Sequence, residues 1–486
     1  MIDTLRRFFW LLPRPVRKPL LWVRKLVIPS AYRRWLQSEY PAIIANKDKL
    51  AASPLPPNAP SISLITLVYN PQLRHFKQCV ESVLRQTYKN FEWIIVLNAA
   101  SKPLRNYLAQ INDNRIKTFC PQCNVGIAMG TRLAVEQASR QWLAFLDHDD
   151  FLEPTALEAV AKAAAFKPEI EFIYTDNDHC DEVGRKHTPM LKPGPSPEYL
   201  TAINYICHFH AVKRESFFAW EPSGKETEGS QDWDLSLKAL DVPSRVWHIP
   251  QILYTVRHHP GRFSLAAFHS DNSSAAIAIR KAQVCCLEGY LRRKGAQSAY
   301  KPSFRGGCYR FQFFGKVLPS VTVFSKEPCE FYPGARVRSC QSLNELVAGE
   351  LQELSTPFVA WVNPQVEIQT NDWLVQAVGM LSREPSVAMV AGFISGVEGP
   401  PLCVPGSYGL CARREVSSLP GLWWVGRADV LKKILRPQVD WQTEFCSQVL
   451  ENGYRLIFDP HLRAALISSS SDSVRCNTSS CNERHA

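Results

Sequence analysis

Residues 142–150 constrain the fold most, because an apolar run there meets a cluster of acids. Trp142–Leu146 is apolar except for the indole N–H, and Asp147, Asp149 and Asp150 follow with one histidine among them. Such a run is typical of a strand in a sheet covered on both faces, and ligands of open α/β sheets bind at the carboxyl ends of strands. Clustered carboxylates repel one another unless a cation offsets them. The stretch therefore predicts either a metal site or a solvated acidic turn in which Asp150 caps a helix within residues 151–165.

Strand-like and helix-like segments alternate along the chain around this stretch. Apolar residues recur at helical spacing after the β-rich run at residues 61–70, and a second β-rich run occupies residues 91–97. This alternation is typical of βαβ units in a mostly parallel sheet. Tyr69, Asn70 and Asn98 are the first polar residues after these strands, so we expect them along the same sheet edge as the acids.

The positive charge of the chain is concentrated near its N-terminus. The formal net charge is +11, and residues 1–40 alone hold nine basic and two acidic side chains. We expect residues 1–58 to form a basic amphipathic helical arm with a Pro-rich linker, either bound to an anionic membrane surface or packed on the rest of the protein. Its longest apolar run, Phe8–Leu12, is far too short to span a bilayer. Nucleic-acid binding is disfavoured, because the positive charge does not extend along the fold.

Short motifs follow one another in a fixed order between residues 60 and 290. They are Val68-Tyr69-Asn70, Ser82–Tyr88, Asn124-Val125-Gly126, Leu146–Asp150, Tyr174–Asp178, Lys192-Pro193, Gly229–Leu235, His248-Ile249-Pro250, Leu253-Tyr254 and Arg257–Gly261. Together they resemble the family 2 glycosyltransferases, and more specifically the bacterial enzymes of O-antigen and capsular polysaccharide synthesis. The resemblance implies an α/β fold of the GT-A type, a Rossmann-like nucleotide-sugar-binding domain, at residues 59–300.

The resemblance also implies a nucleoside diphosphate sugar as donor and a divalent cation, Mg²⁺ or Mn²⁺, as cofactor. Asp147 and Asp149 resemble the DxD pair of the family, and carboxylates are the ligands that such cations prefer. His259 corresponds to a late histidine that completes the metal site, although a single loop histidine is more often a surface or packed residue. Asp232 stands where the family keeps the base that deprotonates the acceptor hydroxyl, and its alternative role is to cap a helix at residues 233–240.

Further residues are assigned to ligands by the same resemblance. The nucleotide-sugar is expected to contact Tyr69, Asn70, Asn98, Asn124, Gly126 and Asp147. The donor or acceptor sugar is expected to contact Asp176, Asp178, Gln231, Trp233 and Arg257. Asn98 replaces an acid that commonly contacts the nucleobase, although an amide can still hydrogen-bond a pyrimidine edge. Two alternatives remain for the other residues. Asp176 and Asp178 contact a sugar or only stabilise a loop, and Trp233 stacks on a sugar or belongs to the core.

The second half of the chain contains a partial echo of the first. Pro357–Gln365 resembles the strand and DxD stretch, but Asn363 and Gln365 replace both acids. We therefore expect residues 301–467 to form a degenerate GT-A-like α/β domain that binds no metal and serves acceptor binding or assembly. Residues 468–486 are rich in Ser and Asn and are expected to be disordered.

The sequence as a whole predicts an inverting, metal-dependent hexosyl or deoxyhexosyl transferase. It would move a sugar to a hydroxyl of a growing surface glycan, carried on a polyprenyl or other lipid. The alternative is a catalytically silent glycan-binding or assembly subunit of a polysaccharide-synthesis complex. Fifteen scattered cysteines indicate a reducing compartment, so we expect a cytoplasmic protein, peripheral at the inner face of the membrane.

Overall fold

A computed structural model describes most of the chain. The described residues are 32–98, 101–220, 224–259, 273–296, 300–313 except 306–307, 319–325, 335–340, 342–395, 414–419, 421–436 and 444–466. Most of the predicted basic arm, residues 1–31, and the predicted disordered tail, residues 468–486, lie outside them. No helix in the described part of the chain is both long and apolar enough to cross a bilayer.

The described residues divide into two compact units that do not follow the chain in a simple order. The first unit falls within Met1–Pro195, Ile206–Gly229 and Val242–Phe263. The second falls within Ser196–Tyr205, Ser230–Asp241 and Ser264–Ala486. Two short stretches from the first half of the sequence thus belong to the second unit. The predicted single boundary at residue 300 does not describe this division.

The first unit is built on one mixed sheet with the strand order β3-β2-β1-β4-β8-β6-β9-β5, and β7 pairs with β6. The strands are β1 (Ile62–Val68), β2 (Phe91–Leu97), β3 (Ile116–Phe119), β4 (Trp142–Phe145), β5 (Phe151–Leu152), β6 (Phe172–Cys180), β7 (Lys186–Met190), β8 (His210–Lys213) and β9 (Val246–Arg257). Strands β1 to β4 pair in parallel, whereas β8 pairs antiparallel with both β4 and β6. The sheet is therefore mixed, with the predicted parallel half confirmed.

Helices cover this sheet through apolar faces. They are residues 32–38, Tyr40–Lys47, Leu73–Leu84, Lys102–Ala109, Ile127–Gln137, Ala156–Phe166 and Arg214–Ala219, with 3-10 turns at Lys225–Thr227 and Pro243–Arg245. In Leu73–Leu84 the buried positions include Phe76, Val80 and Val83, which is the helical spacing that the sequence shows. They join Leu64, Trp93 and other strand residues in one core.

One sequence expectation is wrong just after β4. Residues 151–152 form a short strand that pairs with β9, and the following helix starts only at Ala156 with Thr155 at its N-cap position. Asp150 therefore does not cap a helix. Its side chain is buried, because two chain segments converge on it, as described below.

The C-terminal part of the predicted arm packs on the first unit. The Tyr32 hydroxyl donates to Asp178 Oδ2 at 3.0 Å, and Gln251 Nε2 donates to Asp48 Oδ2 at 2.5 Å. The Tyr40 hydroxyl accepts a hydrogen bond from the backbone N–H of Ile252. Residues 32–53 are thus an integral layer over β6 and β9, which matches the packed alternative for this part of the arm.

The second unit contains a second mixed sheet with the order β13-β12-β14-β18-β16-β19-β15, with β17 on β19 and a separate hairpin of β10 and β11. The strands are β10 (Tyr300–Arg305), β11 (Cys308–Phe313), β12 (Val321–Ser325), β13 (Ala335–Ser339), β14 (Phe358–Val362), β15 (Val366–Ile368), β16 (Val387–Ser395), β17 (Arg414–Val416), β18 (Trp423–Arg427) and β19 (Arg455–Leu466). The helices are Pro197–Ala202, Gln231–Ala239, Ser274–Arg293, Leu343–Glu345 continued by the π-helix Leu346–Glu350, Trp373–Arg383, Ala428–Ile434 and Cys446–Glu451.

The two sheets repeat one topology. The path β2-β1-β4-β8-β6-β9-β5 of the first matches β13-β12-β14-β18-β16-β19-β15 of the second, both in order and in strand direction. The register agrees as well, because Ile62 pairs with Trp142 in the first sheet and Val321 with Phe358 in the second. Asn363 and Gln365 thus follow β14 at the positions that Asp147 and Asp149 hold after β4. The prediction of a degenerate second α/β domain is confirmed.

Candidate active site

The turn after β4 is held in place by a buried carboxylate. Asp150 accepts hydrogen bonds from the Tyr254 hydroxyl and from the Arg257 backbone N–H, both at 2.7 Å. The Tyr254 hydroxyl also accepts a hydrogen bond from the Asp147 backbone N–H at 3.2 Å. Because these groups lie at the end of β9, the two strand ends are tied together. Asp150 therefore acts as a structural anchor that shapes the turn.

Arg257 braces the same turn from the other side. Its side chain is fully buried, and its Nε donates to the Asp149 carbonyl at 2.9 Å. Its other nitrogens donate to Gln78 Oε1 and to the Glu182 carbonyl. These contacts correct the expectation that Arg257 touches a sugar: a buried guanidinium needs hydrogen-bond partners inside the protein, and here they are the turn and its neighbours.

Asp149 and His259, two of the predicted metal ligands, meet in this turn. Asp149 Oδ2 lies 2.9 Å from His259 Nε2, and both side chains are largely buried. The His259 ring packs against the His75 ring with 5.3 Å between centroids. A carboxylate oxygen and an imidazole nitrogen that converge are a donor set that suits a divalent cation. The chemistry of this pair is therefore compatible with the divalent cation that the sequence implies.

Asp147, the third predicted ligand, points to a different neighbour. Its side chain is 49% exposed and its Oδ2 lies 3.7 Å from His208 Nε2. Within the described residues, Asp147, Asp150 and His208 are the group of three candidate ligands whose atoms all lie within 4.8 Å of one another. Both oxygens of Asp150 already accept the hydrogen bonds of Tyr254 and Arg257, so this trio is less open to a cation than the Asp149 pair.

His208 is a residue of this site that the sequence reasoning missed. Its ring stacks on Tyr254 at 5.1 Å between centroids. Burial alone would lower the pKa of His208, but its interactions with Cys207 and with the Asp147 carboxylate outweigh burial and raise the pKa to about 10. His208 therefore places a positive charge beside Asp147. The sequence signal was weak, since His208 follows no strand-end motif and lies among other aromatic residues.

A second cluster lies at the carboxyl end of β2, where Asn98 shapes the loop at residues 124–126. Asn98 is 2% exposed; its amide nitrogen donates to Asn124 Oδ1 and the Gly126 carbonyl, and its oxygen accepts from the Val125 N–H. The amide that was expected to read a nucleobase is thus engaged with the loop. Asn98 thus positions the loop in which Asn124 is exposed and Gly126 is half-buried.

The loop leads into the helix Ile127–Gln137, whose first turn is capped from a distant part of the chain. The Glu228 carboxylate accepts hydrogen bonds from the N–H groups of Ile127 and Ala128, the second at 3.1 Å. Gly126 has φ +80° there, and a Cβ atom at this position would lie 2.9 Å from Glu228 Oε1. The positive φ therefore favours glycine at this position.

The acids on β6 have structural contacts. Asp176 accepts from the Lys192 backbone N–H and lies 2.8 Å from His248 Nε2. Asp178 is fully buried, accepts from the hydroxyls of Tyr32 and Thr255, and burial raises the pKa of its carboxyl to about 6. These contacts match the alternative in which both acids stabilise the fold. Tyr69 and Asn70, by contrast, are exposed at the end of β1.

Gln231, Asp232 and Trp233 belong to the second unit, at the start of the helix Gln231–Ala239. Asp232 is half-buried, and its Oδ2 accepts a hydrogen bond from Asn204 Nδ2 at 2.8 Å. Trp233 is 2% exposed and donates its indole N–H to the Leu200 carbonyl. Trp233 is thus a core residue, which corrects the expectation of a sugar-stacking face. The Asp232 side chain caps no backbone N–H of its helix in this structure.

Comparisons with known proteins place the first half of the chain among glycosyltransferases. The family model described as "Glycosyl transferase family 2" matches residues 63–218. The O-antigen biosynthesis protein RfbC of Myxococcus xanthus is 28% identical over 298 residues, which are 60% of this chain and 22% of that protein. Chondroitin synthase of Escherichia coli is 28% identical over 223 residues, 45% of this chain and 32% of that enzyme. The chain thus spans less than a third of the length of either relative.

Among solved structures, residues 1–349 of S. aureus TarS in complex with UDP-GlcNAc show a TM-score of 0.35 and 16% identity, over 48% of this chain and 72% of that chain. At that TM-score the likeness carries no argument about the site. The identification depends instead on the matched residues 63–218, which include β4 and the turn at Asp147–Asp150. These residues form a family 2 glycosyltransferase domain.

Proposed function

We propose that the protein is an inverting, metal-dependent glycosyltransferase of surface-polysaccharide synthesis. It transfers a hexosyl or deoxyhexosyl group from a nucleoside diphosphate sugar to a hydroxyl of a growing, lipid-linked glycan. The observation that carries the proposal is the Asp149–His259 pair, 2.9 Å apart, in a turn held by Asp150 and Arg257. The names of two relatives, O-antigen biosynthesis protein and chondroitin synthase, support the polysaccharide class.

Different residues of the site have different roles in the proposed transfer reaction. A divalent cation held by Asp149 and His259, with Asp147 beside it, would neutralise charge on the departing diphosphate. Asp232 takes the proton of the acceptor hydroxyl as that oxygen attacks the anomeric carbon. Attack on the face opposite the leaving group inverts the anomeric configuration in one step. Tyr69, Asn70 and the loop at Asn124–Gly126 bind the nucleotide, and Gln231 contacts a sugar.

Two substitutions test the assignment. Asp149→Ala removes a cation holder and Asp232→Asn removes the base, so each should lower transfer from a panel of nucleotide-sugars by at least ~100-fold. Gln365→Ala is the matched control, since Gln365 holds the equivalent position after β14 and is exposed. Wild-type rates in either Asp149→Ala or Asp232→Asn would refute the mechanism.

Calorimetry separates the enzyme from its alternative, a catalytically silent glycan-binding or assembly subunit. Titration of wild-type protein with UDP and GDP, each with and without Mn²⁺, should show cation-dependent binding of one nucleotide that Asp149→Ala loses. A silent subunit would bind neither nucleotide in a cation-dependent way. The same titration identifies the nucleobase, and the donor panel identifies the sugar.

The N-terminal arm is proposed to hold the protein at the inner face of the cytoplasmic membrane. Residues 1–31 contain seven basic side chains and one acidic one, together with Trp10 and Trp22, a composition suited to anionic headgroups. Trp35 packs instead between Tyr32 and Tyr40. The informative deletion therefore ends at residue 31, because residues 32–53 are part of the fold. Equal binding of the wild-type protein and of the variant that lacks residues 1–31 to vesicles of phosphatidylglycerol and phosphatidylcholine would refute membrane attachment through the arm.

A further inference from the structure

The second unit contains the stretch that carries the proposed base, although that stretch lies in the first half of the sequence. Ser230–Asp241 and Ser196–Tyr205 both belong to the second unit. The helix Gln231–Ala239 packs on Ser274–Arg293 and on Pro197–Ala202. The helix that begins at Gln231 and carries Asp232 thus packs on other elements of the second unit.

Asn204 is the residue that holds the Asp232 carboxylate. Its Nδ2 donates to Asp232 Oδ2 at 2.8 Å. One residue further, Trp233 fixes the start of the helix through its hydrogen bond to the Leu200 carbonyl, at 2.8 Å. The Trp233 ring packs against Tyr309 of β11, with 5.7 Å between ring centroids. Asn204 therefore orients the carboxylate directly, and the buried Trp233 indole fixes the helix start beside it.

The short helix before Asn204 is in turn fixed by the C-terminal domain. Glu198 Oε1 lies 2.5 Å from Arg383 Nη2, and both side chains are at most 1% exposed. The Arg383 guanidinium lies over the Phe311 ring at 4.8 Å from its centroid. Because a buried charge without its partner is strongly unfavourable, this ion pair fixes the position of residues 197–204 on the second unit.

We propose that the degenerate C-terminal domain is a required part of the transferase because it is the scaffold of the base, with Asn204 as the positioning residue for Asp232. The proposal rests on the proposed function, in which Asp232 deprotonates the acceptor. It assigns a role to a domain in which Asn363 and Gln365 stand in place of the DxD acids: this domain holds Glu198, Asn204 and Asp232 in position.

The first test replaces Asn204 with Ala. We expect kcat to fall by about tenfold or more with the donor KM unchanged within about twofold. Ser236→Ala is the matched control: the Ser236 hydroxyl donates to the Asp232 carbonyl at 2.8 Å, not to its carboxylate, so kcat should stay within about twofold of the wild-type value.

The second test concerns the scaffold. Arg383→Met leaves Glu198 without this partner and should reduce transfer at least about tenfold, while UDP and Mn²⁺ titrations remain as in wild type. Arg383 also pairs with Glu384 at 3.3 Å, and Glu384 has Arg455 as a second partner at 3.2 Å. The double variant Glu198→Met with Arg383→Met removes both charges of the Glu198 pair and should recover part of the loss.

The outcomes separate the two proposals. If Asp232→Asn is inactive but Asn204→Ala keeps the wild-type kcat, the positioning role alone is overturned. A folded Arg383→Met protein with full transfer would overturn the scaffold. If Asp232→Asn itself keeps wild-type transfer, the proposed function fails, whatever the other variants do.

Discussion

The hydroxyl of Tyr254 is the best single atom for testing how the turn after β4 is held. It donates to Asp150 Oδ2 at 2.7 Å and accepts from the Asp147 backbone N–H at 3.2 Å. Tyr254 is fully buried, so water does not readily replace these hydrogen bonds in Tyr254→Phe. A hydrogen bond to a buried charge contributes about 1.5–3 kcal/mol and a neutral one about 0.5–1.5 kcal/mol. The substitution should therefore cost about 2–4 kcal/mol.

The assay is thermal unfolding of the purified protein together with sugar transfer. For a domain of this size the expected cost corresponds to a fall in Tm of roughly 5–15 °C. Transfer should fall as well, because the backbone of Asp147 is released. Tyr174→Phe is the matched control: Tyr174 is equally buried, but its hydroxyl donates to the Pro193 carbonyl and not to the turn. A Tyr254→Phe protein that melts no lower than Tyr174→Phe would refute the reasoning.

Three further predictions follow from charges and caps of the first unit. Burial alone would raise the pKa of Glu92, but hydrogen bonds to its ionised form outweigh burial and lower the pKa to about 2. The stability from its ionised form is therefore present above pH ~4.5 and lost as the pH falls toward 2. The free energies of unfolding of wild type and Glu92→Gln, measured by urea titration, should differ by about 3 kcal/mol at pH 7 and converge near pH ~2. Glu228→Ala removes the side chain that caps two helical N–H groups, so it should lower the free energy of unfolding by about 1 kcal/mol and weaken nucleotide binding in calorimetry. An unchanged nucleotide affinity would contradict a role of this cap in shaping the nucleotide loop. Tyr32→Phe removes a hydrogen bond to the buried Asp178 and should cost about 1–3 kcal/mol, with faster hydrogen exchange confined to residues 32–53; uniform exchange changes across the unit would contradict a local role.

The sequence predicted the frame of the first unit because hydrophobic period and strand-end chemistry are local signals. The strand in Trp142–Leu146 lies between two other strands in the middle of the sheet. Its apolar residue types alone indicate that it is buried. These features need no knowledge of which side chains meet across long distances. The proximity of Asp149 and His259, which are 110 residues apart, was instead implied by the family resemblance.

The roles of several polar residues could not be predicted, because each depends on a partner that is distant in the chain. Asn98 resembles a nucleobase contact until the loop at residues 124–126 takes up its amide. Arg257 resembles a sugar ligand until Gln78 and the Asp149 carbonyl meet its guanidinium. His208 lies beside Asp147 although 61 residues separate them. Composition and spacing do not show which of these distant residues come into contact.

The layer formed by residues 32–53 has a consequence for how the protein is made. Asp48 meets Gln251 across 203 residues of sequence, and Tyr32 meets Asp178 across 146. At about 5–20 residues per second, the ribosome needs roughly 10–40 s to supply the partner of Asp48 after Asp48 itself. The first described segment to leave the ribosome is thus among the last to find its place. Until then its apolar side chains remain available to a chaperone or to the membrane.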